Sequence, residues 1–283
     1  MKTIYIDCGM GAAGDMLTGA LLELLDEDER LEFINAFNAL GIPGVVMEIS
    51  ASEKCGIRGT HVSMMINGDE EGADGHIHAH THEHGHDHAH THGQEHVHEH
   101  THTHTDGTVH SHSHNGMDYI EHIVKDHLDA SDKVKSDIMS VYGLIAEAES
   151  RAHGVPVSEI HFHEVGTADA IADVTAVCML MERIGAEKIM ASPVNTGSGT
   201  VRCAHGILPV PAPATAYILT GIPIYSNQIK SELTTPTGAA LLKHFVSGFG
   251  SMPVMCAERI GYGMGTKDFE TANCVRVFLG ESS

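Results

Sequence analysis

The chain has no tryptophan, and aromatic residues make up only 5% of its 283 positions. Its core must therefore be filled by aliphatic side chains and methionine, of which there are 14. Cations are also scarce: 16 Lys and Arg stand against 38 Asp and Glu, a formal net charge of −22. That balance argues against duplex nucleic acid and anionic membrane as partners. A small phosphorylated ligand stays compatible, because backbone N–H groups bind phosphate without Lys or Arg. The six cysteines, Cys8, Cys55, Cys178, Cys203, Cys256 and Cys274, include no Cys-x-x-Cys pair, which points away from a zinc ribbon or a disulfide scaffold. No apolar run is long enough to span a bilayer, and the start MKTIYIDCGMG has no apolar stretch of signal-peptide length. Cytoplasmic placement is the expectation.

No Lys or Arg occurs between Arg58 and Lys125, and histidine fills that gap. The run comprises His76, His78, His80, His82, His84, His86, His88, His90, His92, His96, His98, His100, His102, His104, His110, His112 and His114. Imidazole is a neutral nitrogen donor that suits Ni, Cu, Zn or Co, with raw affinity favouring Cu(II). The only larger aliphatics in the comb are Ile77, Val97 and Val109, too few to offset the entropy of ordering it. It is predicted to be a disordered metal-binding insertion over 68–115. A single catalytic site needs three or four fixed ligands, so this surplus favours storage or delivery; a solvated spacer is the bland alternative. Residues 1–67 and 116–283 then form the two parts of one mixed α/β domain, of the α+β kind.

Hydrophobic periodicity predicts a strand at Thr3–Asp7, a glycine turn, and helices at Asp15–Leu25 and Asp28–Leu40, the latter closed by Gly41. Val45–Ser50 and Gly59–Ile66 alternate as strands of a hairpin. Helices are expected at Met117–Leu128, Ala130–His153, Thr167–Ile184, Ala214–Leu219 and Pro236–Phe245, and strands at Ile189–Val194, Met252–Ile260 and Ala272–Leu279. Gly197–Gly206 and Gly261–Asp268 read as flexible polar turns.

Four segments could carry chemistry. In Ile160–Gly166, His161 and His163 share one side of an extended stretch beside Glu164, and Asp169 and Asp173 follow at i, i+4 on one helix face. Two imidazoles with neighbouring carboxylates suit one divalent ion, or a metal plus a general base; equally, Asp169 can simply complement a helix dipole. Asp7 and Asp15 flank a glycine turn that lets a ligand approach the backbone, or that merely joins strand to helix. Thr235 is a natural N-cap with Pro236 behind it, and with Thr234 and Thr237 it makes a candidate phosphate or carboxylate site. Arg202, His205 and Lys267 stand in the polar turns as anion-binding or acid–base candidates. A metal-dependent hydrolase built on His161 and His163 is a third reading of the same residues.

Five stretches together, DCGMGAAGDM, HFHEVGTADAIADV, SPVNTGSGTVRCAHGILPVPAPAT, ELTTPTGAALL and GYGMGTKD, resemble in order the LarC family, the nickel-insertion proteins of nickel-pincer nucleotide biosynthesis. The resemblance runs from residue 4 to about 268, with a His-rich insertion between the first and second stretches. It implies insertion of nickel into pyridinium-3,5-bisthiocarboxylic acid mononucleotide, forming one carbon–nickel and two sulfur–nickel bonds, with CTP hydrolysis and Mn or Mg. It implies that the product serves lactate racemase or a related enzyme. Carried over, it makes His161, His163, Glu164, Asp169 and Asp173 the leading metal or acid–base set. It makes Thr234, Thr235 and Thr237 phosphate candidates and the comb a nickel reservoir. It also implies that the family's C-terminal domain, tied to CTP and Mn, is absent here and comes from a separately encoded or frameshifted portion. A non-catalytic nickel store or metallochaperone remains the alternative.

Overall fold

The computed structural model describes residues 1–66, 116–162, 165–203 and 205–282, together with the backbones of three short strands between residues 67 and 115. Lys2–Asp7 (β1) opens the chain, and Gly14–Leu22 (α1) and Glu27–Asn38 (α2) follow. Asp26 caps α2 through a reciprocal pair with Glu29, which satisfies two helix-start donors at once. Val45–Lys54 (β2) and Ile57–Ile66 (β3) form the expected antiparallel hairpin. Of the 68–115 insertion, only the backbones of Asp69–Glu70 (β4), Glu99–Thr103 (β5) and Val109–Ser113 (β6) are described, β5 pairing antiparallel with β6. The rest of the comb lies outside the described residues.

Met117–His122 (α3) runs into a π-turn at Ile123–His127, followed by Asp132–His153 (α4) and Ala168–Ile184 (α5). Ser131 and Thr167 cap α4 and α5, and each helix ends on a left-handed glycine, Gly154 and Gly185. Then come Lys188–Ala191 (β7), Val194–Asn195 (β8), Thr200–Cys203 (β9), Gly206–Pro209 (β10), Pro213–Ile218 (α6), Ile224–Tyr225 (β11), Pro236–Phe245 (α7), Gly248–Phe249 (β12), Met255–Met264 (β13) and Cys274–Ser282 (β14).

The main sheet runs β12-β7-β1-β14-β13-β3-β2, with β4 paired to β3. Pairing is parallel from β12 through β7 to β1, and antiparallel between β1 and β14 and between β14 and β13. This is the mixed α/β class expected. Helix α1 lies on this sheet over β13, β3 and β14, α5 packs beside it, and α4 stacks outside against α5, α6 and α7. Burial follows the layers. Eight of the nine α1 residues are buried, as befits a helix enclosed on every side. α4 buries only a stripe of Val134, Ile138, Val141, Tyr142, Ile145, Ala146 and Ala148.

Three expectations are corrected. Of the turn expected over Gly261–Asp268, Gly261–Met264 is instead the end of β13. Its glycines serve close approach, since a Cβ would stand 1.9 Å from Ala20 O at Gly261 and 1.7 Å from Met16 O at Gly263. This strand can lie flush on α1 only without side chains there. Thr200–Pro209 is not a loose polar stretch but the antiparallel β9–β10 hairpin. The strand predicted over Ile189–Val194 divides into β7 and β8, with Ser192 and Pro193 between them.

Candidate functional site

Three helix starts meet at one cavity of about 270 Å³. Ala13, Gly14 and Asp15 come from the start of α1, Asp169, Ala170 and Asp173 from the first turns of α5, and Thr235, Pro236 and Thr237 from the start of α7. The wall opposite is β3, through His61 to Met64, and Val165, Glu232 and Thr266 close the rim. Helix starts carry unpaired N–H groups and the positive end of the peptide dipoles. Part of that donor capacity is used within the fold, since Thr167 Oγ1 accepts from Ala170 N–H (3.4 Å) and Thr235 Oγ1 from Gly238 N–H (3.1 Å).

Backbone pairing explains how distant segments arrive together. Ala12 N–H donates to Leu233 O (3.0 Å) and Thr235 N–H to Ala12 O (3.0 Å), while Leu233 N–H donates to Thr196 O (3.2 Å). The glycines permit this closeness. A Cβ at Gly11, whose φ is +82°, would stand 1.9 Å from Leu233 O, and one at Gly238 would stand 2.1 Å from Ala12 O. Buried Asn195 ties the junction. Its Nδ2 donates to Gly9 O (2.9 Å), its Oδ1 accepts from Gly197 N–H (3.1 Å), and its carbonyl accepts from Thr234 Oγ1 (2.8 Å).

Electrostatically the cavity is acidic, with Asp15, Asp169, Asp173 and Glu232 among its lining residues and no Lys or Arg among the described ones. Burial pushes the Asp173 carboxyl well above the usual carboxylate range, and Asp15 and Asp169 add to the shift; the Asp15 backbone N–H, which donates to it, pulls the other way. Asp173 Oδ1 is closed to solvent and accepts no hydrogen bond from a described residue. Gly14 sits against this carboxylate, where a Cβ would stand 2.6 Å from Oδ2. On the opposite wall His61 Nδ1 donates to Met264 O (3.0 Å), and its Nε2 faces Ser63 Oγ at 3.3 Å. Among the described residues, no three His, Cys, Asp or Glu side chains converge as a metal-holding group.

The structure brings together five of the residues named from sequence: Asp15, Asp169, Asp173, Thr235 and Thr237. The i, i+4 reading of Asp169 and Asp173 holds, since both line the cavity. Thr235 Oγ1 accepts from Gly238 N–H (3.1 Å) as the cap of α7 and also meets Thr237 Oγ1 at 3.0 Å. Others lie elsewhere. Asp7 pairs with Arg276 and accepts from Gly9 N–H, and Thr234 is buried on Asn195. Arg202 and His205 are exposed on the β9–β10 hairpin, His205 resting against the His153 ring at 4.7 Å between centroids. His161 is exposed and outside the lining. Lys267 reaches Ser231 Oγ (3.2 Å), beside lining residues Glu232 and Thr266. His163, Glu164 and the side chains of the comb histidines lie outside the described residues.

Sequence reasoning left out His61, Ser63, Glu232 and Asn195. The period-two placement of His61 and Ser63 on one face of β3 was the available signal. For Asn195 there was none beyond its place in a glycine-rich stretch.

A family model described as "Nickel insertion protein" matches residues 4–283. The chain is similar to a protein named pyridinium-3,5-bisthiocarboxylic acid mononucleotide nickel insertion protein from Clostridium kluyveri, 39% identical over 283 residues, which are 99% of this chain and 62% of the relative. A protein of the same name from Geobacillus kaustophilus is 36% identical, covering 100% of this chain and 61% of the relative. One from Staphylococcus epidermidis is 35% identical, covering 99% and 60%. The chain thus spans about three-fifths of the length of these curated relatives. No solved structure matches it.

Proposed function

This chain belongs to the nickel insertion protein family, and we propose that it forms the nickel- and nucleotide-binding portion of a protein that inserts nickel into pyridinium-3,5-bisthiocarboxylic acid mononucleotide. The observation that carries this reading is the meeting of three helix starts and four carboxylates in one cavity. The two substrates have opposite charge. An anionic nucleotide suits the N–H groups of α1, α5 and α7, and the negative charge of Asp15, Asp169 and Glu232 draws an arriving divalent cation toward the cavity.

Making a carbon–nickel bond at the pyridinium ring releases the ring proton. We assign its acceptance to the α5 pair, Asp169 and Asp173. A carboxyl whose pKa is raised is the better proton acceptor at neutral pH, once ionised. Thr237 and the start of α7 are assigned to the phosphate, with Lys267 at the rim. In class terms the activity is that of a nickel chelatase, a lyase, in the cytoplasm, with apo lactate racemase or a related enzyme as acceptor of the product.

CTP and Mn or Mg do not fit this cavity. Among the described residues its lining holds no Lys or Arg to offset a triphosphate's charge, and no three ligands converge to keep Mn or Mg resident. We assign both to the C-terminal portion and route no step through them.

The test is a reconstitution of this chain with nickel, CTP, Mn and the precursor nucleotide, with and without the C-terminal portion, read by product mass. Nickel-loaded product is expected when the portion is present, and loss of at least tenfold in rate in Asp173→Ala. Full activity in both Asp173→Ala and His163→Ala would remove the middle motif from the active site. A nickel store is the second reading, favoured by the comb itself. It predicts that deleting 75–115 abolishes function even when nickel is plentiful.

A further inference from the structure

We propose that His122 and His127, oriented by Asp126, form a fixed transition-metal site at the exit of the comb, one that accepts a borderline-soft divalent ion of the nickel type. In an α-helix, residues five apart point about 140° away from each other. Here the chain departs from α geometry over Ile123–His127, where the Leu128 N–H bonds Ile123 O in the i→i+5 pattern of a π-turn. That one-turn distortion carries His127 round to the side of His122. The two rings meet edge to face, with centroids 4.7 Å apart.

The meeting atoms are the ones a metal uses. His122 Nε2 and His127 Nε2 stand 3.1 Å apart. Two imidazole nitrogens bound at about 2.0–2.1 Å to one ion are separated by roughly 2.9 Å at a right angle and 3.4 Å at a tetrahedral angle. The observed spacing falls between these. The pair is therefore already at the edge length of a coordination polyhedron, and no backbone movement is needed to seat an ion.

Asp126 supplies the orientation. Its Oδ2 lies 2.8 Å from His122 Nδ1, and with the carboxylate ionised Nδ1 must be the donor. The neutral ring then presents its lone pair at Nε2, toward His127. A carboxylate behind a ligating histidine fixes the tautomer and raises ligand basicity. In the metal-free state His127 Nε2–H donates to that lone pair; in the other tautomer two lone pairs face each other, and a rotation of the rings about their side-chain bonds turns both onto one ion. The cluster is open to solvent, Asp126 being 63% exposed and His122 22%. The remaining coordination positions are accessible to water or to an arriving imidazole.

Position in the chain fits a handover. His114, the last comb histidine, precedes His122 by eight residues, and β6 leads into α3 across Gly116. A rigid two-histidine site beside a dense run of histidines can draw an ion from it by exchange, one ligand at a time.

The test is nickel binding by the 283-residue chain in which the seventeen comb histidines are replaced by asparagine. Nickel(II) chloride alone is titrated by calorimetry. His122→Ala and His127→Ala should each remove one bound nickel per chain without changing the circular dichroism. Asp126→Asn should weaken that nickel by roughly 10-fold or more. Equal nickel binding in the parent and both alanine variants overturns the proposal, as does an absence of nickel binding in the parent. In the unaltered chain, crystals soaked with nickel should show an anomalous peak within bonding distance of both Nε2 atoms; nickel elsewhere in the crystal and none at this pair overturns it too.

Discussion

At the residue scale, Asp173 is where the fold accepts a cost. Its folded pKa is raised, so the native state holds a proton that the unfolded chain releases. Stability therefore falls as pH rises from the ordinary value of 3.8 toward the raised one, and below 3.8 the contribution vanishes because both states are protonated. Asp173→Asn keeps the shape without the charge. It should stabilise the chain at neutral pH, because it removes the group whose raised carboxyl opposes folding there, with a gain that shrinks as pH drops toward the ordinary value of 3.8. Thermal melts of parent and variant across that range are the check; parallel pH profiles would contradict it. The same change should abolish insertion, so stability and activity separate at one atom. Tyr142 gives the opposite case. Its buried hydroxyl donates to Val165 O (3.1 Å) and its ring packs on Phe162 at 6.0 Å between centroids. It anchors the loop that leads into α5. Tyr142→Phe leaves that carbonyl unpaired and should cost about 1–3 kcal/mol in urea unfolding.

Elements explain why some of this was readable in advance. Gly238 lets α7 approach Ala12, and Gly238→Ala should cost about 1–3 kcal/mol through overpacking. Gly143, in the middle of α4 with open space around its Cβ position, should instead gain roughly 0.5–1 kcal/mol on substitution by alanine. Urea midpoints of the two variants should move in opposite directions. Local chemistry made α4, α5 and α7 legible, because Ser131, Thr167 and Thr235 cap them and Gly154 and Gly185 stop them. The i, i+4 pairing of Asp169 and Asp173 followed from helical period alone. Sheet order did not follow, since β1 lies between β7 and β14 through contacts far apart in sequence. The glycines of β13 misled for a physical reason: a glycine that frees the backbone and one that admits a neighbouring helix look identical in one dimension. Asn195 was hidden in the same way, its role arising only where four segments cross.

Across the whole molecule, the proposed function divides supply from chemistry. The comb concentrates ligands, the cavity fixes geometry, and the described fold places α1, α5 and α7 so that their starts share one space. Deleting 75–115 should lower insertion severalfold at limiting nickel and leave it unchanged when nickel is in excess. A time course of product mass at both concentrations decides this, and equal loss at both would favour storage as the function. The central claim, that the nucleotide seats at the three helix starts, is tested most directly by hydrogen exchange of the chain with and without the precursor nucleotide. Slowed exchange is predicted at the starts of α1, α5 and α7, at residues 13–17, 167–173 and 235–240. Protection confined to the β9–β10 hairpin or the outer face of α4, with those three starts unchanged, would contradict it.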